Sequence, residues 1–133
     1  MRVLNMLLGK GKIIRFRNGK MLGIIRRDKT FMVFRKEKKH LFRIYNGWGI
    51  NKELLKELKD IGIKYIEIQA TDTGYIYRTV LGTFEIFGIP YQNPKNEHDY
   101  QIVLPLKFWK KYPMLDKRDY RKAIRRWNNL LNL

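Results

Sequence analysis

Carboxylates are scarce in this chain, which makes each one worth testing as a chemical group. Twelve Asp and Glu stand against 29 Lys and Arg in 133 residues, with two His. Glu67 lies in the apolar run Tyr65-Ile-Glu-Ile-Gln69, where a charge needs a reason. Asp72, His98 and Asp99 fall in polar stretches that loops could bring toward it. Carboxylates of this kind can hold Mg²⁺ against a scissile phosphate, usually with a Lys beside the attacking water. The plain reading competes: Asp72 and Asp99 as turn formers, Glu67 as a strand residue on a solvated face. Other chemistry is closed to these residues. There is no Cys, hence no disulfide, thiolate metal site or Cys nucleophile, and no Ser, hence no Ser nucleophile. Two widely spaced His, His40 and His98, do not supply a His-rich zinc site within one chain.

The Glu67 segment resembles the ExK half-motif of the restriction-endonuclease-like nucleases over a few residues. Gln69 stands where that motif has Lys, and the Leu41–Tyr45 segment offers no Asp. Glu37-Lys38-Lys39 is a literal ExK with Asp28 upstream, but such triplets arise by chance in Lys-rich sequence. Gly9-Lys-Gly-Lys12 suggests a phosphate loop, yet Ile13 follows where a hydroxyl residue is required, and a strand follows where a helix should open. No paired His motif accompanies a nucleophilic Tyr. Tyr75 and Tyr77 alternate on one strand face beside Arg78, as bases could use for stacking or a sheet for packing. No family resemblance spans the chain.

The dominant signal is charge. The formal net charge is +17, enough for self-repulsion to oppose a compact state unless a polyanion is nearby. It is also segregated. Residues 1–45 carry 14 Lys or Arg and 2 Asp or Glu; residues 46–105 carry 6 and 8; residues 106–133 carry 9 and 2. The two ends are cationic and the middle slightly acidic, a pattern that predicts where a polyanion lies.

The elements that must position these groups follow from periodicity. Lys12–Arg17, Met21–Ile25 and Thr30–Phe34 alternate as antiparallel strands, with Asn18-Gly19 as a hairpin turn and Arg26–Lys29 as a polar one. Arg15 and Arg17 then share a face opposite Ile14 and Phe16. Leu41–Tyr45 reads as a further strand, and Asn46-Gly-Trp-Gly49 as a turn-rich connection. Asn51 caps a helix through Asp60 with Leu54, Leu55, Leu58 and Ile61 inside, and Gly62 stops it. Residues 63–69 form a strand, and the strand-helix-strand unit is expected to make a right-handed parallel crossover. Tyr75–Thr79 and Tyr100–Leu104 are strands, 80–88 is ambiguous, 90–99 is a loop, and a helical turn takes in Phe108 and Trp109. Asp116 caps a final helix over about 117–131, burying Tyr120, Ile124, Trp127 and Leu131 and presenting Arg118, Arg121, Lys122 and Arg125 as a cationic stripe.

The expected fold is a single small α+β domain over residues 1–133: N-terminal antiparallel β-strands, a central strand-helix-strand and a C-terminal amphipathic helix. Its basic β-rich part is 1–45, its mixed middle 46–105 and its basic helical part 106–133. The expected function is non-catalytic nucleic-acid binding, DNA in preference to RNA, through phosphate contacts from Arg15, Arg17, Arg26, Arg27, Arg35, Lys36, Lys38, Lys39, Arg43, Arg118, Arg121, Lys122 and Arg125, with Tyr75 and Tyr77 for stacking. The first alternative is a Mg²⁺-dependent nuclease using Glu67, Asp72 and Asp99. The second is a protein–protein or structural module, such as one from a mobile element. No cofactor is expected, Mg²⁺ entering only with the nuclease. No segment approaches membrane length, so no membrane partner and a cytoplasmic location are expected. Abundant Lys and Ile with little Ala and Gln fits a thermophile. Self-association into a homo-oligomer is left open.

Overall fold

A computed structural model describes residues 2–8, 11–15 and 21–113, together with Arg121, Lys122, Arg125 and Asn129; side chains are described from residue 23 onward. The chain is mixed α+β. Strands β1 (Arg2–Leu8), β2 (Gly11–Arg15), β3 (Met21–Arg26) and β4 (Thr30–Arg35) come first, then helix α1 (Glu37–His40), β5 (Gly47–Asn51), α2 (Lys52–Asp60), β6 (Tyr65–Ala70), β7 (Tyr75–Val80), α3 (Thr83–Phe87), β8 (Ile89–Gln92) and β9 (Tyr100–Pro105). A 3₁₀ turn (Leu106–Phe108) leads into β10 (Lys110–Pro113). Among the described residues, seven strands form one sheet in the order β1-β2-β3-β4-β6-β7-β10, and three form another in the order β5-β9-β8.

The first four strands run antiparallel; the alternation predicts β2, β3 and β4, and β1 adds a strand outside that expectation. The β3–β4 turn is set by Asp28, whose Oδ1 accepts from the Thr30 backbone N–H (3.1 Å), while Lys29 takes a left-handed φ of 64°. Strand β4 is the hinge of the topology. It pairs parallel with β6, Thr30 opposite Tyr65 through Arg35 opposite Ala70. Its residues Thr30–Phe34 are all buried, as a strand covered on both faces requires.

The parallel crossover therefore exists, but its first strand is β4, not Leu41–Tyr45. That segment is a correction: Phe42 makes a single bridge to Gly47, and the chain turns through Arg43–Asn46, where Asn46 adopts φ 45°. The turn thus lies one step earlier than expected, and Gly47-Trp-Gly49 is strand. The glycines there permit close approach. A Cβ at Gly47 would collide with the Leu104 carbonyl, and one at Gly49 with the Phe42 ring. Between them Trp48 is fully buried and meets Tyr77 of β7 (ring centroids 5.4 Å), joining the two sheets.

Helix α2 starts as expected: the Asn51 side chain accepts from the backbone N–H groups of Glu53 (2.9 Å) and Leu54 (3.2 Å). Leu54, Leu55 and Leu58 are buried. Ile61 is not; it is 52% exposed, because the helix closes at that residue and Gly62 (φ 85°) redirects the chain to bury Ile63 instead. The ambiguous segment 80–88 contains α3. Residues 89–92 belong to β8, so the expected loop shortens to 93–99; Pro90 is tolerated because β8 is an edge strand. Strand β10, which no alternation in the sequence marks, extends the large sheet beyond β7. Arg121, Lys122, Arg125 and Asn129 are helical and exposed, in keeping with the expected outer stripe. The Asn18-Gly19 turn, the Asp116 cap and the inner stripe Tyr120, Ile124, Trp127 and Leu131 lie outside the described residues.

Replacing Gly47 by Ala should destabilise the protein by about 1–3 kcal/mol, since the blocking atom is backbone and cannot rotate away. A denaturant titration should show a lower midpoint with an unchanged slope.

Candidate nucleic-acid interface

Parallel pairing brings the C-terminal ends of β4 and β6 to the same edge of the sheet. Beyond Ala70 the backbone N–H of Thr71 donates to the Arg35 carbonyl (2.9 Å), and Gly74 (φ 80°) closes the turn into β7. This places Asp72 at the start of α1. Its carboxylate accepts from the backbone N–H of Glu37 (2.8 Å) and of Lys38 (3.0 Å). Burial pushes the Asp72 carboxyl up, but the N–H groups of Lys38, Glu37, Asp72 and Thr73 outweigh it and hold the group below its ordinary value. A carboxylate from a remote turn thus fixes a helical turn too short to persist alone.

On that turn, Lys36, Lys38 and Lys39 are exposed, and Arg43 is exposed just beyond. Among the described residues no carboxylate lies within ion-pair distance of any of the four. Glu37 is occupied differently: it accepts a short hydrogen bond from the Tyr77 hydroxyl. Burial first, and then that carboxylate, keep the hydroxyl protonated far above its ordinary range. Tyr77 is 3% exposed and sits under Tyr75, whose ring is 38% exposed (centroids 6.5 Å apart). Of the two tyrosines, only Tyr75 is open to a base. Lys111 of β10 stacks its ammonium 3.7 Å from the Tyr75 ring centre. Buried Tyr77 links the two groups, bonding to Glu37 of the cationic turn and touching Tyr75 and Lys111. Lys111 escaped the sequence reading because β10 spans only four residues and ends in Pro113, leaving no alternation to detect.

The remaining cations divide. Arg26 and Arg78 face inward on the opposite side of the sheet, where they bracket buried Glu67 at 2.8 and 3.4 Å. Gln69 Nε2 donates to the other Glu67 oxygen (2.9 Å), and Arg78 also reaches Asp28 (3.4 Å) and covers the Tyr65 ring. Arg27 is exposed in the β3–β4 turn. Arg35 points between the sheets, Nη1 donating to the Gly49 carbonyl (2.9 Å), and burial draws its guanidinium down to about 10. The side chain of Arg15, and all of Arg17 and Arg118, lie outside the described residues.

The three carboxylates of the nuclease alternative fall into separate networks. Glu67 is held by Arg26, Arg78 and Gln69; Asp72 caps α1; Asp99 accepts from Gln101 Nε2 (2.7 Å) and Asn93 Nδ2 (3.3 Å). His98 is exposed beside Glu97 (3.7 Å). Among the described residues no three His, Asp or Glu side chains gather as metal ligands would. Nor is any described helix long and apolar enough to cross a membrane. No family model, curated protein or solved structure matches the chain.

Because the folded Asp72 carboxyl is more acidic than in the unfolded chain, its contribution is fully present above the ordinary value of 3.8 and disappears as pH falls through the folded value. Protection of the Glu37 and Lys38 amides, relative to their intrinsic exchange rates, should therefore fall as pH drops below about 4. Asp72→Asn should show the reduced protection at neutral pH, while amides within β4 stay protected.

Removing the Glu67 carboxylate by Glu67→Ala should cost about 1–3 kcal/mol, less than a fully buried pair because Arg26 and Arg78 remain partly solvated. Thermal unfolding of Glu67→Ala and of the double variant Glu67→Ala/Arg78→Ala checks this: the second substitution should add little.

Proposed function

We propose that the chain binds nucleic acid, DNA in preference to RNA, chiefly through phosphate contacts and without catalysis. One observation carries the reading. Lys36, Lys38, Lys39 and Arg43 crowd a turn and its flank with no described carboxylate within ion-pair distance, while α1 itself is pinned by Asp72. Four like charges at that spacing repel, and holding them costs free energy that a phosphate backbone would return. The exposed Arg121, Lys122 and Arg125 of the C-terminal helix would add a second set of contacts. Arg27 would add another from the β3–β4 turn. Arg26 and Arg78 have internal partners and belong to the scaffold.

Tyr75, open and backed by Lys111, suits stacking on an unpaired base, whereas phosphate contacts alone suit a duplex. The surface reads backbone more than sequence, as expected of a small regulator or a DNA-organising protein. A soluble, cytoplasmic setting agrees with this partner.

The test is the salt dependence of affinity for short duplexes of unrelated sequence. Log K should fall linearly with log salt at a similar slope for each duplex. Replacing Lys36, Lys38 and Lys39 together with Gln should make that slope shallower by about 2–3 units. A flat salt response in the native protein would overturn the proposal. Tyr75→Ala should weaken single-strand binding by about 1–3 kcal/mol and leave duplex binding nearly unchanged.

A further inference from the structure

Behind the cationic turn lies a cavity of about 250 Å³, lined by Arg35, Lys39, His40, Leu41, Phe42, Asp99 and Gln101. Three of these residues can be cations, and they come from two consecutive elements: Arg35 ends β4, while Lys39 and His40 end α1. Arg35 is the unusual member. A buried guanidinium ordinarily has a carboxylate to offset its lost hydration. Among the described residues Arg35 has none within ion-pair distance; its hydrogen bond goes to the neutral Gly49 carbonyl, and burial alone accounts for its lowered basicity.

Asp99 is the one carboxylate in the cavity wall. Both its oxygens are engaged, Oδ1 by Gln101 and Oδ2 by Asn93. It offsets part of the positive charge without pairing with Arg35. Fixed charge in the wall is therefore one positive in excess with His40 neutral, and two with His40 protonated. His40 itself is held below its ordinary value, by burial first and then by Arg35 and Lys39. An anion in the cavity would reverse the second and third of these effects.

We propose that this cavity is a phosphomonoester pocket, in which Arg35, Lys39 and His40 hold the dianionic phosphate at the end of a ligand. The guanidinium supplies forked donors that match phosphate geometry, Lys39 a point charge, and the imidazole a third donor. A dianion calls for two positive charges, so binding carries a proton onto His40. Leu41 and Phe42 give an apolar wall suited to the carbon side of the ester. The proposal rests on the nucleic-acid reading only for what carries the phosphate. A 5′-phosphorylated strand end and a small free phosphorylated compound present the same group.

The experiment follows the His40 ring resonances by NMR across a pH titration, with inorganic phosphate, a 5′-phosphorylated dinucleotide and its 5′-hydroxyl counterpart as probes. Arg35, Lys39 and Asp99 are the charged groups facing the ring. Phosphate should raise the His40 midpoint by about one unit or more. The phosphorylated dinucleotide should bind about tenfold tighter than the 5′-hydroxyl form. Arg35→Gln tests the anchor but risks the fold, so His40→Gln and Lys39→Gln, both at exposed positions, accompany it. Each should erase the preference for the phosphorylated end.

If inorganic phosphate shifts His40 but the dinucleotide pair shows no difference, the pocket stands and its ligand is a small phosphorylated compound. If no probe moves His40, the pocket is rejected. A long duplex lacking terminal phosphates separates the two proposals. Steep salt dependence of duplex binding, with His40 silent to inorganic phosphate and to the phosphorylated dinucleotide, rejects the pocket alone; loss of duplex binding, with His40 still responding to inorganic phosphate, rejects the surface reading alone.

Discussion

The parallel pairing of β4 with β6 is the constraint from which the rest of the molecule follows. Parallel strands end at the same edge, so the segments leaving them start side by side. Arg35 and Ala70 are the last pair in register. The next residues of one strand begin α1, and those of the other form the turn containing Asp72. This pairing sets the Asp72 carboxylate against the N–H groups of Glu37 and Lys38. The same edge carries the Arg35 guanidinium and, through Tyr77, the link to Glu37. That edge holds Lys36, Lys38, Lys39 and Arg43, exposed and without a described carboxylate within ion-pair distance.

The pleat then sorts the charges. On β6 the residues Ile66, Ile68 and Ala70 face the second sheet and are fully buried, while Tyr65, Glu67 and Gln69 face the other way. Glu67 is buried on that side, flanked by Arg26 from β3 and Arg78 from β7. Two of the basic residues are thereby consumed in holding the sheet together. A count of +17 hides this division. The uncompensated part, among the described residues, includes Lys36, Lys38, Lys39 and Arg43 on a short helix and its flanks and Lys110 and Lys111 on the edge strand β10.

Much of this was legible in the sequence, and the failures have physical causes. The α+β class, the β2–β3–β4 meander, the Asn51 cap and the Leu54, Leu55, Leu58 stripe follow from periodicity and capping chemistry, which act over a few residues. Leu41–Tyr45 misled because its alternation of Leu, Arg and Tyr with Phe and Ile is what a strand shows, yet Asn46 can adopt a left-handed conformation and turn the chain just there. Gly47 and Gly49 look like breakers until Leu104 and Phe42 are placed against them; only long-range packing reveals that their missing side chains admit a neighbour. Ile61 has the right spacing for the core, but the helix ends at it. At the candidate site, the basic character of 35–43 was evident. The Asp72 cap, the Tyr77–Glu37 bond and the neighbouring Lys111 were not, because they join residues more than thirty positions apart.

The two roles considered for the carboxylates are decided at each residue by what already holds it. A metal-binding carboxylate must offer oxygens toward a common point, and desolvated cations beside it weaken its hold on another cation. Glu67 has two guanidinium groups and an amide on it. Asp72 spends both oxygens on backbone N–H groups, and Asp99 spends both on side-chain amides. Taking Mg²⁺ would require breaking these contacts in three different places, and loss of the Asp72 contacts would release the very turn that presents Lys36, Lys38 and Lys39. Glu67 and Asp72 thus act as scaffold: Glu67 ties β6 to β3 and β7, and Asp72 holds α1 and with it Lys36, Lys38 and Lys39.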